Sequence, residues 1–356
     1  MLEPAYPPSQ SVFLDLLRYG LALVVVVGHG FGLFLGYFEG FFPNRFPHLQ
    51  SIAVVCFFYL SGFLIVGSQL RHAAAGMGSL GQYLFDRATR VYVTLLPSLL
   101  FVWAADLLFA YIATGSAQPE RPSLTLVAFL KNLALVPSEP FGTLRPIWSL
   151  MYEWWIYILF GGLFYLRSNW LLAGGLVLAG LYRVFQLCVD SDAGHIWFIW
   201  GLGGLMAYVH RRFWRSETTS PRQLILLASA FGLAGAGMYA ATLNAYGLVA
   251  GVFLSFALFT WTMWSSGRSA AWLVPLSARL ERFAGFSFTL FLTHYTVLAH
   301  TSMFLDGWVG LIVGVVLSHV VAFVIASVTE YRLSALKRWM VCRSHHWDPG
   351  KPRPLP

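Results

Sequence analysis

The chain has 356 residues, 58% of them hydrophobic and only 11% charged, with a mean hydropathy of +0.66. A soluble globular domain carries roughly 25% charged residues, so the composition excludes a soluble enzyme and identifies an integral membrane protein. The net charge of +8 would suggest a nucleic-acid partner in a soluble protein, but it concentrates in alternate loops, which is the signature of membrane topology.

Apolar runs long enough to span a bilayer occur at 11–36, 51–70, 91–113, 146–166, 170–187, 195–210, 223–243, 247–265, 284–304 and 308–333. They predict an all-α, polytopic helical bundle of about ten transmembrane helices. The apolar stretch LTLVAFLKNLALV (124–136) is broken by Lys131 and Asn132 and is expected to lie at the interface or re-enter, outside the span count. The first run follows a polar, Pro-containing segment with no A-x-A-like cleavage site, so it reads as a retained helix and not as a signal peptide. Arginines cluster in the loops 71–90, 211–222 and 266–283 and in the tail, whereas the intervening loops hold VDSDAG (189–194) and Asp306. By the positive-inside rule, both termini are cytoplasmic. A single domain over 1–340 is followed by a basic, Pro-rich tail at 341–356 that is expected to be disordered. Cys56, Cys188 and Cys342 have neither disulfide-framework nor zinc spacing, so no metal site is expected.

Charged and polar residues inside these runs are the candidates for chemistry, because ionisable groups in hydrocarbon are expensive. In FLDLLRYGLALVVVVGHG (13–30), Arg18 and His29 are eleven residues apart. That is roughly 1100° of rotation, so they share a helix face about 16 Å apart, with Asp15 close to the same line. A structural Asp15–Arg18 pair with a hydrogen-bonded core histidine accounts for this stripe as well as a catalytic base does. In CFFYLSGFLI (56–65), Ser61 and Gly62 suit close helix packing. Arg87 and Arg90 share one face at the cytoplasmic boundary, where they could grip phosphates or simply snorkel. Glu153 lies in IWSLMYEWWIYILF (147–160), at about the depth of His29, where a carboxylate could orient that ring or act as a structural partner of an arginine. His294, Tyr295 and His300 occur in FSFTLFLTHYTVLAH (286–300), where a satisfied core histidine is the commoner case. Glu330 stands beside Arg332, as in a local ion pair.

Taken together these stretches resemble the acyltransferase-3 family of bacterial membrane O-acyltransferases, over nearly the whole chain. The family's LDxLR…H, FFxLSGFLI, RxxR and WSLxxEWxxY patterns are matched in order, the last two through Arg87, Arg90 and Glu153. The late SYxxYLxH-like pattern appears as FSFTLFLTH, ending at His294, with Phe288 where a Tyr often stands. Pro97 comes later than in the commoner RxxRIxP. The resemblance is to the stand-alone branch without a C-terminal extramembrane domain.

The resemblance implies transfer of an acyl group, usually acetyl, from cytoplasmic acyl-CoA to a hydroxyl of a cell-surface or exported carbohydrate, possibly lipid-linked, in the bacterial inner membrane. It places His29, Glu153 and Arg18 in catalysis. Arg87, Arg90, Ser61, His294 and Tyr295 fall to acetyl-CoA binding. In the version of the mechanism that fits this layout, His29, oriented by Glu153, deprotonates the acceptor; an acyl-histidine relay competes with it. A lipid or small-metabolite acceptor is the nearest alternative. A secondary transporter is the more distant one, and it predicts an internal repeat that the sequence lacks. Membrane lipids are expected partners, and nucleic acid is not.

Overall fold

The computed structural model describes residues 6–36, 48–115, 123–189, 193–213, 220–244, 246–333, 335–337 and 339. The tail 341–356, Cys342 and most of the loop 37–50 lie outside them. Among the described residues there are twelve α-helices and no strand. In chain order they are α1 (Pro8–Leu35), α2 (Leu49–Ala74), α3 (Leu80–Thr114), α4 (Leu126–Leu133), α5 (Ile147–Phe164) and α6 (Trp170–Val189). There follow α7 (Ile196–Phe213), α8 (Ser220–Leu243), α9 (Leu248–Ser265), α10 (Ser277–Gly285), α11 (Ser287–Thr301) and α12 (Gly307–Val328). The chain is an all-α, multi-pass helical bundle.

Each of the ten expected spans falls on a helix, but among the described residues eight helices are long and apolar enough to cross a membrane: α1, α2, α3, α5, α6, α8, α9 and α12. The two that fall short do so for a physical reason. Helix α11 has only 15 residues and buries Ser287, Thr289, Thr293, His294, Thr296, His300 and Thr301. A helix enclosed by others can carry polar groups that a lipid-facing helix cannot. Helix α7 ends in His210, Arg211 and Arg212, which dilute its apolar length.

Local signals set the helix ends. Pro8 opens α1, where its missing N–H is no loss, and Gly36 closes it in the left-handed region at φ 58°, its N–H donating to the Phe31 carbonyl. The Ser79 hydroxyl caps α3 by accepting from the Gln82 N–H at 3.2 Å. Helix α3 therefore starts eleven residues before the expected span and runs for 35 residues, through Pro97. At 1.5 Å per residue that is about 50 Å, well beyond a hydrocarbon core of about 30 Å. Its early turns carry Arg87 and Arg90 at one end of the bundle. Helix α4 confirms a short helix within 124–136, with Thr125 as its cap and Leu126, Val127 and Leu130 exposed on its outer side.

Helix α2 is the centre of the bundle. Within its most apolar stretch 67% of residues are buried, against 17% for α8 and 22% for α6, whose outward faces present residues such as Tyr239 and Leu178 to lipid. The contact of α2 with α7 depends on glycine: a Cβ on Gly62 would collide with the Trp200 carbonyl oxygen, and one on Gly203 with the Tyr59 carbonyl oxygen. Close backbone approach of this kind drives helix association where lipid removes the hydrophobic incentive.

Candidate active site

Two cavities meet inside the bundle. The first, about 280 Å³, is lined by Arg18 of α1, Ser61 of α2, Arg87 and Arg90 of α3, and Glu153 and Tyr157 of α5. The second, about 710 Å³, is lined by His29, Gln50, Glu139, Arg145, Trp148 and Tyr246. Val54 and Phe291 line both, so the cavities abut near the start of α2 and in the first half of α11. Since α1 and α3 run from the arginines toward His29 and Asp106, one cavity serves the arginine end of the bundle and the other the histidine end. A smaller space beside the first is lined by Arg18, Arg90 and Glu330.

The ring of His29 is held by His294. His294 Nδ1 lies 2.8 Å from the Phe291 carbonyl oxygen and 3.1 Å from that of Leu290. A carbonyl only accepts, so this nitrogen carries the proton, and neutral His294 presents a lone pair at Nε2. That Nε2 stands 3.1 Å from His29 Nδ1, which is also 3.1 Å from the Val25 carbonyl oxygen. Both of those partners accept, so His29 is assigned as the Nδ1–H tautomer, and its Nε2 keeps a free lone pair. The arrangement is that of an oriented base. Tyr295 packs its ring edge-on against His29 at 5.3 Å between centroids.

This geometry corrects two expectations. Glu153 does not touch His29: its carboxylate accepts from the Tyr157 hydroxyl, which lies 3.0 Å from Ser61 Oγ, and Trp200 Nε1 donates to Ser61 at 3.2 Å. Nor do the two share a depth. Gln50 of α2 packs against Gly28 beside His29, whereas the Glu153 network reaches α2 at Ser61, three turns or about 16 Å further along. In the same way, His294 and Tyr295 are not with Arg87, Arg90 and Ser61. His294 is fully buried, and both rings pack on His29.

At the arginine end, Arg18 pairs with Asp15 at 3.0 Å, as the i,i+3 spacing implied, and still lines the cavity. Arg87 Nε is buried with no hydrogen-bond partner among the described residues. Glu330 does not form the expected local pair with Arg332. Its carboxylate accepts from the Thr289 N–H at 3.1 Å and the Thr289 hydroxyl at 2.5 Å, at the positive end of α11 and within the fields of Arg90 and Arg18.

Sequence reasoning missed two features. One is Arg145, which sits in the loop before α5 and passes for an ordinary loop charge. The other is Asp106, the only acidic residue in a long apolar run of α3, a signal that could have been read. Its Oδ1 accepts from His300 Nε2 and from the Thr143 hydroxyl, both at 2.8 Å, and its Oδ2 from the Thr143 N–H at 2.9 Å. His300, stacked flat on Phe109 at 4.1 Å, is thus a satisfied core histidine. The pair ties the loop before α5 to α3 and α11.

A family model described as an acyltransferase domain matches residues 11–331. Comparison with curated proteins and with solved structures found no match. The match covers every helix that lines the two cavities, and the chain belongs to the acyltransferase-3 family of membrane acyltransferases.

Proposed function

We propose that the protein moves an acyl group, acetyl in the simplest case, from acyl-CoA to a hydroxyl of a carbohydrate, free or lipid-linked, across a bacterial inner membrane. The observation that carries this reading is the pair of abutting cavities, one bearing three arginines and the other His29. Guanidinium forks suit the phosphates of CoA, and Arg87 and Arg90 would hold them at the cytoplasmic end. The pantetheine arm would extend past Ser61 and the Glu153–Tyr157 pair toward Val54 and Phe291. On the other side, Trp148 and Tyr246 offer aromatic faces, and Gln50 and Glu139 offer polar groups that can fix hydroxyls, the usual make-up of a small-molecule site.

In this mechanism His29 Nε2 takes the proton of the acceptor hydroxyl while the oxygen attacks the thioester carbon. The tetrahedral intermediate collapses with cleavage of the C–S bond, and the proton passes from His29 to the departing thiolate, giving the ester and free CoA. His294 holds the ring in the tautomer this step needs. His29 then acts as general base at near-neutral pH.

The test is transfer by purified protein from radiolabelled acetyl-CoA to a panel of neutral and acidic glycosides, read as O-acetylated product. Product with a glycoside and none with diacylglycerol supports the reading. Acylation of the lipid alone would replace the acceptor class, and failure to consume acetyl-CoA with any acceptor would remove the donor.

A further inference from the structure

We infer that Arg145 makes the His29 cavity selective for an anionic acceptor, a sugar that carries a carboxylate or phosphate besides the hydroxyl to be acylated. This rests on the reading above, in which the acceptor enters that cavity. The guanidinium carbon of Arg145 sits 5.3 Å over the Tyr295 ring, and the same ring stands 5.3 Å from His29. Guanidinium and imidazole are therefore at most twice that distance apart, a separation that one sugar, or one sugar and its neighbour, can bridge.

Arg145 is exposed and lines the cavity. Among the described residues no carboxylate lies within 4.0 Å of it. Glu139 lines the same space without pairing with it. A guanidinium lying on an aromatic face keeps its in-plane N–H groups available for a bidentate carboxylate or phosphate.

The loop is built to hold this group in place. Thr143 gives both its N–H and its hydroxyl to Asp106. Gly142, at φ 55°, packs so tightly on Asp106 that a Cβ there would collide with the carboxylate, and only glycine combines that backbone with that approach. Pro146 follows Arg145 directly, restricting its backbone from the other side. A cation ordered in advance loses little freedom on binding.

The test uses the full-length protein in detergent and three probes: methyl β-D-glucuronide, glucose 6-phosphate and methyl β-D-glucoside. Affinities come from thermal-shift titrations, so the result does not depend on turnover. CoA release from acetyl-CoA in the same preparations reports separately on the transferase reading. Wild type is expected to bind one anionic probe at least about tenfold more tightly than the neutral glucoside, a charge-assisted pair being stronger than a neutral one. Which anionic probe wins tells carboxylate from phosphate. Arg145→Met should erase the preference and leave the glucoside unchanged, and Arg145→Lys should keep part of it. Equal binding of all three probes by wild type would overturn the inference. So would a preference that survives in Arg145→Met, or a loss in that variant that is equal for all three.

Discussion

His294 Nε2 lies 3.1 Å from His29 Nδ1, with its own Nδ1 held by the carbonyl groups of Leu290 and Phe291. The result is a histidine oriented by a second, fully buried histidine, in the place where a carboxylate often stands. His294→Phe should remove one of the two acceptors at His29 Nδ1, leaving the Val25 carbonyl. It should free the ring to reorient and lower kcat by about 10- to 100-fold, the scale of losing a group that orients a functional histidine. The KM for the donor should change little. Steady-state kinetics on both substrates check this; an unchanged kcat would mean that His29 does not need His294.

Glu153 gives the contrasting case. Its carboxylate belongs to the Tyr157 and Ser61 network in the arginine cavity. Glu153→Gln and Tyr157→Phe should therefore raise the KM for acyl-CoA severalfold more than they lower kcat. Were Glu153 the partner of His29, loss of its charge would cut kcat by about 10⁴-fold at constant KM. Kinetics at varied donor concentration distinguish the two.

The buried Asp106–His300 pair is expected to act on stability. Removing one member leaves the other without its partner in the core, at a cost of about 3–5 kcal/mol. Asp106→Leu should lower the melting temperature in detergent sharply, and Asp106→Leu with His300→Leu should recover part of the loss. A melting temperature unchanged in the single variant would show that the clamp is not needed.

Helix packing gives a fourth expectation. Gly203→Ala presses a methyl group onto the Tyr59 carbonyl at the α2–α7 contact. It should destabilise the protein by about 1–3 kcal/mol, while Gly201→Ala, with open space around it, should be tolerated. Parallel thermal melts of the two variants measure the difference.

The bundle was legible because apolar length and loop charge are local properties, and every expected span falls on a helix. Helix α11 is the instructive exception: its buried serines, threonines and histidines make it a poor lipid-facing span and a good core helix. Part of the candidate site was legible too. The period of α1 puts Arg18 and His29 on one face, and both line interior cavities. The partner of His29 was not legible, because His294 is 265 residues away in sequence and only the packing of α11 on α1 brings the rings together. The depth of Glu153 was misjudged because counting residues from the start of α5 says nothing of its register against α2. Arg145 was missed because its meaning comes from the aromatic ring beneath it and from the Asp106 clamp on its loop.

His29 Nε2 is proposed to activate the acceptor hydroxyl in the cavity that His29 lines. The most direct measurement is single-turnover transfer from radiolabelled acetyl-CoA by His29→Ala beside wild type, with donor binding measured on the same samples. Loss of transfer by at least about 100-fold, the low end for a general base, with donor binding intact is the expected result. Transfer by His29→Ala at the wild-type rate would contradict the account.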